Sequence, residues 1–452
     1  MLRLHDTATG RVAELVPRDP NEIGLYVCGP TVYGPPHVGH GRFALVYDVL
    51  RRYLEYRGFD VTYVSNITDI DDKIIDRANR EGRAWDEVAA ESEEQWWQAM
   101  DAMGVSRPTL APHATDYLNE MVDLIAELLA NGAAYETSDG VYLAVEAISD
   151  YGMLKHQNLA SLLAGARVEV KEEKRFPGDF ALWKKAKPAE PSWDSPFGKG
   201  RPGWHTECVA MSLSLLGEGF DLHGGGVDLI FPHHENERAQ AVALGKTFAH
   251  HWIHNGLVTQ SGEKMSKSLG NFTTLEEMLA TTDARAYRLL VLRAHYRSPL
   301  EVTAETLEDA TSALSRIDAL ARRVAHSPIE LESAREAPTI QRFVDAMDND
   351  FDTPGALAQL FEGIRRANSL LDTGDLGRGA ESARCVLELL GALGLFSTDD
   401  TAPDACASEL ALKRDKARAS GDFGLADALR AELESLGYAV EDTASGTRLR
   451  RK

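Results

Sequence analysis

Residues 22–64 read EIGLYVCGPTVYGPPHVGHGRFALVYDVLRRYLEYRGFDVTYV, and the pattern inside this stretch decides the fold. Glu22 to Gly29 is a short apolar run that stops at a glycine, as a buried strand does. After Pro35 and Pro36, the apolar residues Phe43, Val46, Tyr47, Leu50 and Leu54 recur at helical spacing. They predict a helix from Gly39 to Tyr56 that Gly58 ends. Asp60 to Val64 then reads as a second strand. Strand, helix and strand in about forty residues make a β-α-β unit, and hence a parallel sheet. Asn66 to Asp72 follows at the carboxyl end of the second strand, where open α/β sheets hold their ligands.

The rest of the chain arranges itself around that unit. From about Leu110 to Gly200 a short strand at Gly140 to Val145, a Lys/Glu-rich stretch and a Pro/Trp/Gly-rich loop predict an insertion. The sheet resumes at Gly219 to Leu222 and Trp252 to Leu257. Beyond Thr282 the chain reads as helical, and Thr311 to Phe396 fits a bundle of amphipathic helices. A polar linker, Ser397 to Ala407, leads to one helix at Gly421 to Leu436 and a hairpin at Tyr438 to Leu449. A chain of 452 residues exceeds one hydrophobic core. The expectation is therefore α/β: a Rossmann-like parallel-sheet domain with an insertion, then an α-helical bundle and a small C-terminal domain. The expected boundaries are 1–110 and 201–257 for the two halves of the sheet domain and 111–200 for the insertion. A loop and connecting region follows at 258–310, the bundle at 311–400 and the last domain at 405–452.

Composition narrows the class. A chain that is 44% hydrophobic and 26% charged is that of an ordinary soluble protein. No signal peptide opens it and no apolar run is long enough to span a bilayer, so no membrane partner is expected. Cys28, Cys208, Cys385 and Cys406 are too scattered for a disulfide framework, which predicts a cytoplasmic protein. The net charge of −22 argues against a broad nucleic-acid surface. Residues 413–452 nevertheless hold nine basic against seven acidic side chains, so any RNA contact must be local.

Three constellations carry chemistry. His37-Val38-Gly39-His40 opens the first helix, where a glycine lets a nucleotide approach and imidazoles and helix dipole face phosphate. Two surface histidines at a helix cap would read the same way. Lys264-Met265-Ser266-Lys267-Ser268 lies in a small-residue loop, and two ammonium groups there could close over a triphosphate. A solvated basic loop is the alternative. Finally, Cys28 and Cys208 with His233 and Glu237, four apart and so on one helical face, make a sound Zn²⁺ shell. Two buried cysteines beside a polar helix fit the spacing equally well. Gly245-Lys246-Thr247 lacks the earlier P-loop glycine, Asp69 to Lys73 lacks the third ligand of an EF-hand, and Gly224-Gly225-Gly226 lacks a dinucleotide frame.

Blocks from every region, in order, resemble the cysteinyl-tRNA synthetase family of class I aminoacyl-tRNA synthetases. They are Tyr26 to Tyr33, His37 to His40, Asn66 to Lys73, Gly203 to Cys208 and Phe231 to Glu237, then Lys264 to Ser268, Met347 to Pro354 and Glu441 to Lys452. The resemblance implies one Zn²⁺ per chain on Cys28, Cys208, His233 and Glu237, and ATP, with Mg²⁺, on His37, Gly39, His40, Lys264 and Lys267. His37, His40, Lys264 and Lys267 would be catalytic. Gly29, Thr68, Trp204, His205, His223 and Asp228 would surround the L-cysteine. The helical bundle and tail would read a cysteine tRNA, with the chain a monomer and no editing site. Val38 replaces the commoner isoleucine, and Asp283-Ala284-Arg285 is a loose version of the motif that opens the helical domain.

Two other functions share these residues. An ATP-dependent ligase joining cysteine to an amino-sugar inositol would keep the zinc and ATP motifs but lack the basic tail. A non-catalytic paralogue would have no need of intact histidine, lysine and cysteine motifs.

Overall fold

Four parallel strands form the central sheet: β1 (Glu22–Val27), β2 (Asp60–Ser65), β3 (Phe220–Gly226) and β4 (Ala249–Asn255), in spatial order β4-β3-β1-β2. The computed structural model describes residues 2–157, 173–188, 190–259, 274–325, 337–396, 405–436, 438–443 and 446–451. The expected β-α-β unit is present. Helix α1 (Val38–Tyr56) crosses from β1 to β2, which pair from Glu22 opposite Asp60 to Val27 opposite Ser65. Leu25, Tyr26 and Val27 are fully buried, because helices cover both faces of a parallel sheet. The chain turns one way from β1 to β2 and the other way to β3. The crevice at the carboxyl ends of β1 and β3 is therefore the topological switch point.

Both later strands are displaced from the expected ranges, for identifiable reasons. β3 extends to Gly226 and takes in the three glycines, which read as loop residues in sequence. A Cβ on Gly224 would lie 2.4 Å from the Tyr47 ring, so α1 packs directly on bare strand backbone. The Tyr47 hydroxyl accepts from the Gly225 amide (2.6 Å) and donates to the Gly225 carbonyl (2.9 Å). β4 begins at Ala249, where His250 and His251 hide the strand from a hydrophobic reading.

Between the halves lies an antiparallel sheet of Ala134–Glu136, Gly140–Leu143, Phe180–Lys185 and Gly200–Pro202. A two-stranded hairpin, Arg3–Asp6 with Arg11–Glu14, precedes β1 and has no hydrophobic alternation that would betray it. The Met347 to Pro354 block has a structural task. The Asp350 carboxylate accepts from the His5 amide (2.8 Å) and the Tyr296 hydroxyl (3.0 Å), and Asp348 accepts from the Tyr53 hydroxyl (2.6 Å).

Two compact units result. The first, Met1–Ala313 with Gln341–Gln359, contains the sheet. The second, Leu314–Ile340 with Leu360–Lys452, is built of helices and ends in an antiparallel hairpin, Tyr438–Thr443 with Gly446–Arg451. Its last part holds helices Ala405–Ala419 and Phe423–Ser435, which share a small core of Ala407, Leu410, Leu429, Leu433, Tyr438 and Val440. The first of these helices corrects the sequence reading, which ran the linker to Ala407. Its buried positions Ala407, Leu410, Ala411 and Ala417 are mostly alanines, so the helical stripe carries little hydrophobic signal.

Candidate metal centre and nucleotide site

The switch-point crevice gathers four buried donors from four segments. Cys28 follows β1, Cys208 lies on α2 (Trp204–Leu216), and His233 precedes α3 (Glu235–Ala243), whose first turn carries Glu237. The two sulfurs are 3.5 Å apart, and Cys28 Sγ is 3.2 Å from Glu237 Oε1. His233 Nε2 is 3.7 Å from Cys208 Sγ and 2.7 Å from Glu237 Oε1. A tetrahedral Zn²⁺ with bonds of about 2.0–2.3 Å has ligand atoms about 3.3–3.8 Å apart. Three of these four separations are within about 0.1 Å of that range, and the fourth is the shorter contact of an imidazole hydrogen-bonded to a carboxylate. Donor chemistry and geometry both fit the metal.

Electrostatics point the same way. Burial, with the Cys208 thiol next, raises the Cys28 thiol well above its ordinary value. Cys208 is lowered: its burial is outweighed by hydrogen bonds from Cys28 and His233. Against its own burial, the Glu237 charge holds His233 up at about 10. In turn His233, His223 and His234 hold Glu237 well down. Without a cation the cluster therefore keeps protons on Cys28 and His233 that a divalent ion would replace.

A second set, Cys28, His223, His234 and Glu237, overlaps the first and escaped the sequence reading. His223 Nε2 is already 2.5 Å from Glu237 Oε2, and His234 Nδ1 is 2.8 Å from His254 Nε2. The set with two thiols is the softer and suits zinc better. His223 then stands behind Glu237, as a carboxylate orienter.

Of the expected amino-acid contacts, Gly29, Thr68, Trp204, His205 and His223 lie close to the four donors or to their sequence neighbours, and Asp228 does not. The Trp204 ring stacks on His233 at 3.9 Å, and both it and His205 are half-buried. His205 Nδ1 lies 2.8 Å from His233 Nδ1, so were His233 Nε2 to bind an ion, its Nδ1–H would donate to His205 Nδ1 and fix the ring. Thr68 donates to the Glu207 carboxyl (3.0 Å). Burial, then the Cys208 charge, raises Glu207 well above the usual carboxylate range. Glu207 also went unread, since a lone glutamate on a helix carries no signal. At Gly29 a Cβ would lie 1.7 Å from the Asn66 carbonyl oxygen, so only glycine allows the two strand ends to touch. Asp228 stands apart from the donors. It is exposed, in the turn Val227–Leu229, and its charge acts on His37.

His37 and His40 turn out to cap α1 reciprocally. His37 Nδ1 accepts from the His40 amide (3.3 Å) and His40 Nδ1 from the His37 amide (3.2 Å), with rings stacked at 3.7 Å. The cap reading and the phosphate reading are thus compatible. A backbone N–H must donate, so each Nδ1 is a lone pair and each neutral ring carries its proton on Nε2. Burial lowers both, His40 to about 3, so at neutral pH the pair offers two uncharged N–H donors. Lys264 and Lys267 lie outside the described residues. The acidic run is fully engaged: Asp69 accepts from Thr115 Oγ1 (2.5 Å), Asp71 caps the helix Asp72–Glu81, and Asp72 pairs with Lys184 (2.6 Å).

Comparison with known proteins follows this geometry. Residues 14–312 match the family described as tRNA synthetases class I (C) catalytic domain, and residues 342–397 match the DALR domain. The chain is 44% identical over 456 residues to a cysteine–tRNA ligase of Thermotoga petrophila, covering 99% of each chain. It is 45% identical over 474 residues to that of Geobacter sulfurreducens, covering 99% of this chain and 98% of the relative. A Mycobacterium tuberculosis methionyl-tRNA synthetase in complex with methionyl-adenylate shares the fold, with TM-score 0.61 at 15% identity over 83% of this chain and 90% of the other.

Proposed function

This chain belongs to the cysteine–tRNA ligase family of class I synthetases, and from that membership we propose how its residues divide the labour of charging cysteine tRNA. It is an aminoacyl-tRNA ligase. In the proposed sequence the cysteine carboxylate attacks the α-phosphorus of Mg²⁺-ATP and pyrophosphate leaves. The cysteinyl group then passes to the 2′-hydroxyl of the terminal adenosine of the tRNA. His37 and His40 donate from Nε2 to phosphate, Gly39 lets the nucleotide approach, and Lys264 and Lys267 stabilise the charge spreading onto pyrophosphate. No side-chain nucleophile takes part, so alignment of the reactants supplies much of the rate.

Cys28, Cys208, His233 and Glu237 hold the zinc. When bound there, zinc supplies a soft Lewis acid that prefers the thiolate of cysteine to the hydroxyl of serine, which makes a hydrolytic editing site unnecessary. Gly29, Thr68, Trp204, His205 and His223 shape the amino-acid side of the crevice, and Asp228 the side nearer His37. The buried four-donor set beside a capped helix start is the observation that carries this reading.

The insertion at 111–200 connects the two halves of the sheet domain, 1–110 and 201–257, and 258–310 contacts the tRNA stem. The bundle at 311–400 and the tail at 405–452 read the anticodon, where unstacked bases are accessible to a chain with little basic surface. No helix among the described residues is long and apolar enough to cross a membrane. The enzyme works in the cytoplasm as a monomer. Labelled cysteine, ATP and a cysteine tRNA transcript should give acid-precipitable product that a zinc chelator abolishes. Charging that survives complete metal removal contradicts the zinc reading, and cysteine-dependent pyrophosphate exchange without charging points to the amino-sugar ligase.

A further inference from the structure

Three buried polar side chains form one hydrogen-bonded chain beside the candidate zinc donors. Asn66 and Thr68 follow β2, Glu207 lies in the first turn of α2, and each is 1% exposed. Asn66 Oδ1 accepts from the Gly29 amide (2.9 Å), and Asn66 Nδ2 donates to Thr68 Oγ1 (3.2 Å). Thr68 Oγ1 in turn donates to Glu207 Oε2 (3.0 Å). Glu207 is not one of the four donors, although it directly precedes Cys208. A buried carboxyl is costly unless a partner engages it, and Thr68 is that partner.

The direction of these bonds is set from one end. A backbone N–H can only donate, so the Asn66 atom facing Gly29 is the oxygen and the atom facing Thr68 is the nitrogen. That amide nitrogen can only donate, so it occupies one lone pair of the Thr68 oxygen. The hydroxyl has a single proton, which Glu207 accepts. One lone pair of Thr68 Oγ1 is then left without a partner among the described residues. Thr68 is thereby an acceptor. With its proton free, the same hydroxyl would present a donor instead.

An amino acid brings an ammonium, which only donates, and a carboxylate, which only accepts. We propose that Glu207 is a positioning residue: by holding the Thr68 proton, it leaves Thr68 as an acceptor for the α-ammonium of the amino acid. The proposal rests on the assignment of Thr68 to the amino-acid side of the crevice made above. It makes a specific demand: losing the Glu207 acceptor weakens recognition of the ammonium, while thiol and carboxylate are held as before.

The test uses the full-length, zinc-loaded enzyme and two probes, L-cysteine and 3-mercaptopropionate, which share thiol and carboxylate while the second lacks the ammonium. Titration calorimetry without ATP gives a dissociation constant for each, beside zinc content and thermal unfolding. A hydrogen bond to a charged group changes binding about 10-fold or more, so the wild type should prefer cysteine by at least about 10-fold. Glu207→Met keeps the length of the side chain and removes the acceptor, and it should cut that preference about 10-fold. Glu207→Gln, whose amide oxygen still accepts, should keep the preference within about threefold. Zinc content should be unchanged in both. General loosening of the crevice weakens both probes together and leaves their ratio as it was. A folded Glu207→Met enzyme with the wild-type ratio overturns the proposal, as does loss of the ratio in Glu207→Gln. So does a wild type that binds the two probes equally, a result that needs no variant to fold. Thr68→Val separates the causes. If it keeps the wild-type ratio, the assignment of Thr68 to the amino acid fails; if it loses the ratio while Glu207→Met keeps it, only the role of Glu207 fails.

Discussion

Substituting Gly29 by alanine tests whether contact between two strand ends sets the reaction geometry. The added Cβ would stand 1.7 Å from the Asn66 carbonyl oxygen and 2.8 Å from its carbon, both backbone atoms that cannot rotate away. Ordinary contact begins near 3.4 Å, so the ends of β1 and β2 must part by about 1.7 Å. That movement also strains the hydrogen bond from the Gly29 amide to Asn66 Oδ1, now 2.9 Å. Cys28 is attached to one side of the gap and Thr68 to the other, so zinc donor and amino-acid contact separate together. Overpacking of this kind costs about 1–3 kcal/mol, which most folded proteins survive. The rate does not survive it: a misplacement above one ångström predicts a fall of at least about 10²-fold in kcat/KM for cysteine, or about 2.7 kcal/mol. Cysteine-dependent pyrophosphate exchange measures the loss, with circular dichroism to confirm folding. Gly377→Ala is the control, since that exposed helical glycine has nothing within 4 Å. A folded Gly29→Ala enzyme with full zinc and kcat/KM within about threefold of wild type would refute the reasoning.

Zinc uptake by the metal-free chain should release protons near pH 7.5, from Cys28 and His233 at least, because both are held up while no cation is bound. Titration calorimetry in buffers of different ionisation enthalpy counts them, and a count near zero contradicts the proton inventory. His254, buried between Thr7 and His234, is held down at about 3 by desolvation and then by His223. Between that value and about 6.5 the unfolded chain binds the extra proton, so stability falls on acidification through this window, by up to about 1.4 kcal/mol per pH unit. Urea midpoints at pH 7 and pH 5 should show the loss, and His254→Gln should lessen it; an equal slope in the variant counts against the argument. Because burial raises Glu207 and so favours its neutral form, Glu207→Gln should cost less than about 1.5 kcal/mol, whereas Glu207→Ala leaves a cavity and takes away the acceptor of the Thr68 hydroxyl, worth about 2–5 kcal/mol. Equal unfolding free energies for the two variants would contradict this reading of Glu207.

Local order in this protein was legible in the chain alone. The run from Glu22 to Val64 specified strand, helix and strand because periods of burial are written residue by residue, and the parallel sheet followed from the short connection. His233 and Glu237 could be placed on one face because four residues make about one helical turn. What spacing left undecided was whether Cys28 and Cys208, 180 positions apart, ever meet. Only the pairing of β1 with β3, on which α2 and α3 converge, brings their sulfurs within 3.5 Å of each other. The same holds for residues that carried no signal. Glu207 and His234 are ordinary polar letters until burial removes their water and leaves each dependent on a particular partner. Sequence periodicity reports which side of an element faces inward, whereas long-range contacts decide what waits there, and it is such contacts that bring Cys28 and Cys208 to His233 and Glu237.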